Sequence, residues 1–308
     1  MHPVLLKGEG LTINRPSRAV GTLIGAGASF LALSLAAALL LKATGWPVSF
    51  TQFLGYAAAG VLAVLALIFA FWAYGCHTLR YVIDRTGITI GWGPIQHFIS
   101  IETIQKIVPG RGEHQPHVQG LGWWGYHIGL GQVDGIGQVL FYSTHRAPEE
   151  LVYIQTAGAT FAISPANPIR FLTEAQRFQQ AGKPARRSGV KRDILSGHPI
   201  WADRLAQLLA ASAVAANLAL WGFLFAIYPG LSNEITIEFP PIGDIVTLHE
   251  KAEIMKIPGT ATAVLGLNLL AGLTFQWKER AAAYLLVSNA VFFQLLFWIA
   301  AAFAVINA

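Results

Sequence analysis

Hydrophobic residues in this chain are gathered into five long blocks, with a segment of different rhythm between the second and the third. Ala19–Leu41, Phe53–Gly75, Leu205–Tyr228, Ile257–Phe275 and Ala281–Ile306 each run without an Asp, Glu, Lys or Arg. A hydrocarbon layer about 30 Å thick takes about 20 helical residues, and lipid offers no partner to backbone N–H and C=O groups. The blocks therefore predict five transmembrane helices. The fourth is short and opens on Pro258-Gly259, which a helix accepts in its first turn because that N–H is unpaired anyway. The first is too long for the core of a cleaved signal peptide and follows mostly polar residues, so it is expected to remain as an anchor.

The segment 77–182 alternates at the period of strands. Tyr81 and Ile83, then Ile88, Ile90 and Trp92, flank Asp84-Arg85-Thr86-Gly87, a hairpin signature. Gly93-Pro94 turns the chain into Ile95–Ile99, and Val139–Ser143, Leu151–Gln155 and Thr160–Ile163 follow as later strands. About seven strands over about a hundred residues is the spacing of a small barrel or sandwich. Ser164 or Asn167 can cap a closing helix, Pro168 fits its first turn, and Phe171, Leu172, Ala175 and Phe178 form its apolar stripe. The fold class expected is an α+β membrane protein: five transmembrane helices with an inserted β-barrel, one end of it plugged by a C-terminal helix. The expected organisation is 1–76 for a tail and two helices, 77–182 for the β-domain, 183–204 for a basic linker, and 205–308 for three helices with an outward loop at 229–256.

Composition agrees with a membrane class. The chain is 54% hydrophobic and 12% charged, against about a quarter charged in soluble domains. Of the 21 Lys and Arg residues, eighteen fall before the first block, between the second and third, or between the fourth and fifth. Only Lys42, Lys251 and Lys256 lie on the alternate side. Positive residues stay in the cytoplasm, so the N-terminus and the β-domain are expected on the cytoplasmic side of the membrane and the C-terminus outside. This distribution also accounts for the net charge of +5 without nucleic acid. The single cysteine, Cys76, excludes an intrachain disulfide and a cysteine-built zinc site.

The runs Tyr81–Ile90 and Ile101–Ile107, and the Ile163-Ser164-Pro165-Ala166-Asn167-Pro168 entry to the last helix, resemble bacterial pleckstrin-homology (PH) domains. The resemblance covers about a third of the chain and implies a PH-like barrel beside the helices of a bacterial plasma membrane. Such small domains usually lack a stretch like the Gly- and His-rich Gly110–Gly137. Phosphoinositide specificity does not carry over, because the first hairpin holds only Arg80 and Arg85.

Candidate chemistry is sparse. Gly120-Leu121-Gly122-Trp123-Trp124-Gly125 matches GxGxxG in form, but a dinucleotide loop must open a helix. More glycines follow here, so a glycine-rich loop or irregular strand is expected, its aromatics packing on the barrel or touching lipid head groups. Glu113, His114, His117 and His127 could suggest zinc, yet Pro116 disfavours the helix that would align the first two histidines. A solvated loop is expected, with no metal and no cofactor. Lys183, Arg186, Arg187, Lys191 and Arg192 set topology and are candidates for anionic lipid head groups. Gly21 and Gly25 allow close helix contact, while Asn217, Asn268, Asn289 and Gln294 are amides at membrane depth, read as interhelical glue. No P-loop, HExxH or nucleophile–base spacing occurs. The function expected is a non-enzymatic membrane scaffold or accessory subunit. Its partners would be the bilayer and a protein or larger membrane complex. The alternative is a transporter or channel component with those amides along a polar path.

Overall fold

The computed structural model describes residues 11–111, 116–181, 189–192, 198–236 and 248–306. Its helices are α1 (Ala19–Thr44), α2 (Phe50–Thr78), α3 (Pro168–Ala181), α4 (Arg204–Ile227), α5 (Lys256–Phe275) and α6 (Arg280–Ile306). All but α3 are long and apolar enough to cross a membrane, and they coincide with the five uncharged blocks to within a turn or so at each end. Two compact units result, one from Met1–Leu33 with Val64–Ser196 and the other from Ser34–Ala63 with Gly197–Ala308.

Among the described residues, the first unit holds eleven strands: β1 (Thr12–Asn14), β2 (Arg80–Ile83), β3 (Gly87–Trp92), β4 (Ile95–Ser100), β5 (Ile104–Pro109), β6 (Val118–Trp123), β7 (Tyr126–Val133), β8 (Gly137–Ser143), β9 (Val152–Thr156), β10 (Thr160–Ile163) and β11 (Gly189–Arg192). One sheet runs β1-β2-β3-β4-β11 and the other β5-β9-β10-β8-β7-β6, antiparallel throughout except for the β8–β10 pair. Asp84 Oδ1 closes the β2–β3 turn by accepting from the Thr86 and Gly87 amides at 2.7 and 2.9 Å, the local bonding that makes Asp a turn residue.

Period-2 alternation sends Tyr81, Ile83, Ile88 and Ile90 from the first sheet and Val152, Ile154, Phe161 and Ile163 from the second into one core. Helix α3 covers that core with Phe171 and Ala175, and Asn167 Oδ1 caps it by accepting from the Arg170 amide at 2.9 Å. The fully buried Tyr81 ties the sheets together: its hydroxyl donates to Tyr142 O at 2.6 Å and accepts from the Ser164 amide at 3.3 Å. The second sheet is buried on its other face too, where Val139, Phe141, Tyr153 and Ala162 gather around Leu151.

Two expectations are corrected here. The barrel is not closed: among the described residues, no strand of one sheet pairs with a strand of the other. The outer edge of β2 is taken by β1 and that of β4 by β11. The first sheet therefore has no free edge of β2 or β4 to offer the second, and the chain crosses from β4 to β5 through a short 3-10 turn at Ile101–Thr103. The glycine-rich stretch expected as a loop or irregular strand forms the regular pair β6–β7, which raises the seven strands expected in 77–182 to nine. Two more strands of the unit, β1 and β11, come from outside that range.

In the second unit, α4, α5 and α6 pack on one another. Small residues set their spacing: Ala213 and Ala290 are fully buried, and a Cβ on Gly272 would come within 2.8 Å of Val287. At one end Asp203 caps α4, accepting from the Ala206 amide at 3.1 Å, Gln276 Nε2 at 3.2 Å and the Tyr284 hydroxyl at 2.7 Å. Those bonds, the tyrosine's above all, hold its carboxyl below the usual carboxylate range. At the other end, the expected outward loop contributes the strand pair β12 (Glu234–Thr236) and β13 (Leu248–Glu250), with Ile235 and Ile254 buried among Leu220, Leu224 and Ala301.

Candidate functional site

The β6–β7 hairpin is built to approach a helix closely. Trp123 pairs with Tyr126, leaving Trp124 and Gly125 as the two turn residues. Gly125 has φ +78°, a conformation that costs residues with a Cβ roughly 1–2 kcal/mol. Absence of side chains on both partners lets the turn meet the first turn of α1 backbone to backbone. A Cβ on Gly125 would lie 2.7 Å from Gly21 N and 3.2 Å from the Val20 Cβ, and one on Gly21 would collide with Gly125 O. Trp123 Nε1 then donates to Gly21 O at 2.9 Å.

The last turns of α2 complete the mount. Trp72 stacks obliquely on Trp123 at 5.7 Å, Trp123 on Tyr126 at 5.0 Å, and Phe71 meets Trp92 edge-on at 6.0 Å. Trp92 Nε1 donates to the buried Tyr126 hydroxyl. The fully buried Cys76 Sγ lies 3.7 Å from Arg18 O and 3.8 Å from Gly125 O. Arg18 also donates to His77 O. Within this unit the β-domain is therefore held by interlocked contacts with both helices as well as by the chain that leads into it.

Beside the mount is a groove of about 430 Å³, lined by Ile24 of α1, Trp123, Trp124, His127 and Arg146, with Gly120 and Gly122 among its walls. Trp124 is 80% exposed. His127 is 7% exposed, and burial, with Arg146 and then His145 nearby, pushes its pKa down to about 4. It is neutral at pH 7. Arg146 is half-buried and forms no hydrogen bond or ion pair among the described residues.

Gly21 meets the hairpin, whereas Gly25 meets Ala73 of α2 as well as Trp123, and Ser29 Oγ adds a bond to Ala66 O at 2.8 Å. In the GxGxxG-like run a strand follows, where a dinucleotide loop would need a helix. Glu113 and His114 lie outside the described residues, as do Lys183, Arg186 and Arg187; His117 is exposed. No group of three or more His, Cys, Asp or Glu suited to a metal ion occurs among the described residues. Lys191 and Arg192 belong to β11, opposite Gln96 and Ile95.

Of the four amides, two meet across helices. Asn217 Nδ2 donates to Gln294 Oε1 at 3.1 Å, Gln294 Nε2 to Ala261 O at 3.0 Å, and Thr262 Oγ1 to Asn217 Oδ1 at 3.0 Å. Gln294 is fully buried and Asn217 nearly so. Asn268 bonds Val264 O within its own helix at 2.9 Å. Asn289 is exposed, because five residues of helix turn it about 140° away from Gln294. Gln294→Leu removes two interhelical bonds and is expected to destabilise the helix bundle by about 1–2 kcal/mol, read from SDS-induced unfolding in mixed micelles. An unchanged midpoint would show that the amides carry no load.

Neither Arg146 nor the apposition of Gly21 and Gly125 was legible from spacing, since each joins residues over a hundred positions apart or sits alone in a loop. The Trp123-Trp124-Gly125-Tyr126 cluster was the one signal available.

Residues 79–178 match the family model described as bacterial PH domain. No curated protein and no solved structure matches the chain. The match spans β2 to most of α3, about a third of the chain, and it agrees with two sheets sharing a core covered by one closing helix. The β-domain thus matches a bacterial PH domain and is carried by a chain with five helices long and apolar enough to cross a membrane.

Proposed function

We propose that the chain is a non-enzymatic scaffold or accessory subunit of a bacterial plasma membrane, holding its PH domain against the cytoplasmic face. There the domain binds a protein partner or the membrane surface itself. The observation that carries this reading is the mount: the β6–β7 tip locked onto the base of α1, and the last turns of α2 packed on Trp92, Trp123 and Tyr126. A binding surface gains from such an arrangement, because fixing its orientation beforehand removes an entropic cost of association. The placement of Lys and Arg supports the cytoplasmic side. The mutual pairing of Asn217 with Gln294 supports packing over a polar path for these two amides.

The test uses the full chain in living cells, with a photo-crosslinking amino acid placed singly at exposed positions of the domain such as Leu130 and Lys106. Discrete protein or lipid adducts are expected at some positions and not at others. Absence of adducts everywhere, together with recovery from mild detergent as a bare monomer, would overturn the proposal.

A further inference from the structure

We propose that the groove between the β6–β7 hairpin and α1 is a binding site for one anionic phospholipid, its phosphate held by Arg146. This rests on the cytoplasmic-face reading above and adds to it a ligand class and a place.

The lining divides by chemistry. Ile24 belongs to a helix long and apolar enough to cross a membrane, so part of the groove wall continues into the hydrocarbon layer. Trp124, 80% exposed at the hairpin tip, is next to Gly125, which touches the first turn of α1. That is the depth at which tryptophan settles in bilayers, its ring in the head-group region. On the polar side stands a half-buried guanidinium with no hydrogen-bond or ion-pair partner among the described residues. Partly withdrawn from water in the groove, such a group is completed by an anion. The planar fork of arginine matches two oxygens of a phosphate. His127 is neutral at pH 7, so it leaves the net charge of the groove to Arg146 and can still offer a hydrogen bond.

A free phosphate would satisfy Arg146 but leave Ile24 and the exposed Trp124 ring uncovered. A neutral lipid would cover the apolar wall but leave the arginine's charge unmet. A phospholipid with net negative charge satisfies both, and the cytoplasmic leaflet is rich in such lipids.

The test is native mass spectrometry of the full chain, stripped of lipid in detergent, with three additions: phosphatidylglycerol, phosphatidylcholine and inorganic phosphate. The wild type is expected to bind phosphatidylglycerol best and inorganic phosphate not measurably. Arg146→Gln is expected to weaken phosphatidylglycerol binding about fivefold, the worth of one arginine at a membrane surface; Trp124→Ala should weaken it as well. The basic run 183–192 contributes equally to wild type and variants, so the difference belongs to the groove. Equal retention by Arg146→Gln and wild type would overturn the proposal, as would binding of inorganic phosphate with the same Arg146 dependence. Neither result touches the crosslinking test, which uses other positions, so the groove and the scaffold reading fail separately.

Discussion

Replacing Gly125 by valine is expected to free the β6–β7 tip from α1 and to destabilise the first unit by about 2–5 kcal/mol. Two costs combine. The residue sits at φ +78°, where a β-branched side chain is strained, and its Cβ would press on Gly21 N at 2.7 Å and on the Val20 side chain. Neither helix backbone nor hairpin can yield locally, so the hairpin must lift. The single cysteine makes the event readable. Cys76 is fully buried with its Sγ 3.8 Å from Gly125 O, and it should pass from protected to reactive toward a thiol reagent in detergent. Gly135→Val separates the two causes: φ there is +73°, yet nothing lies within 4 Å of its Cβ. That variant should incur only the backbone strain, a loss of about 1–2 kcal/mol, and keep Cys76 protected. Protection of Cys76 in Gly125→Val would refute the docking account.

Acidification from pH 6.5 to pH 4 is expected to remove as much as about 3 kcal/mol of stability through His127 alone. Its folded-state pKa is pushed down to about 4 from the ordinary histidine value of 6.5, by burial first and then by Arg146 and His145. Between those values the unfolded chain binds a proton that the folded chain refuses, so stability rises with pH across the window. Above pH 6.5 both states are neutral and the contribution is fully present; below pH 4 both are charged and the loss is complete. The measurement is the difference in unfolding free energy between wild type and His127→Gln as a function of pH, which cancels the carboxylates that titrate in the same range. Parallel profiles would mean that His127 is charged or solvated in the folded protein.

The places of the five long helices follow from where Asp, Glu, Lys and Arg are absent, because one charge at membrane depth is costly. Their ends do not, since α1 runs past Lys42 to Thr44 and α2 starts at Phe50 although no charge lies between Lys42 and Arg80. The β2–β3 hairpin was equally plain, since Asp84 and Gly87 bond within four residues of each other. Helix α3 was plain for the same reason, its cap narrowed to Ser164 or Asn167, of which the structure uses Asn167. Gln294 and Asn217 were visible as amides but not as a pair, because pattern alone does not say which faces of α4 and α6 meet.

What the sequence by itself determined, then, is everything governed by solvent preference and short-range bonding: helices fit for lipid, a strand-rich segment between them, its turns, its cap and its family likeness. Tertiary structure alone decided that β1 and β11 close off the first sheet, that the glycine-rich stretch is a hairpin, and that Gly21 and Gly125 touch. It also decided that Arg146 faces the same groove as Ile24. Those facts depend on steric fit between residues as much as 122 positions apart, as from Ile24 to Arg146. Close packing of that kind leaves no periodic trace in the chain, because it arises from which surfaces can come near enough to exclude water and not from the polarity of any one residue.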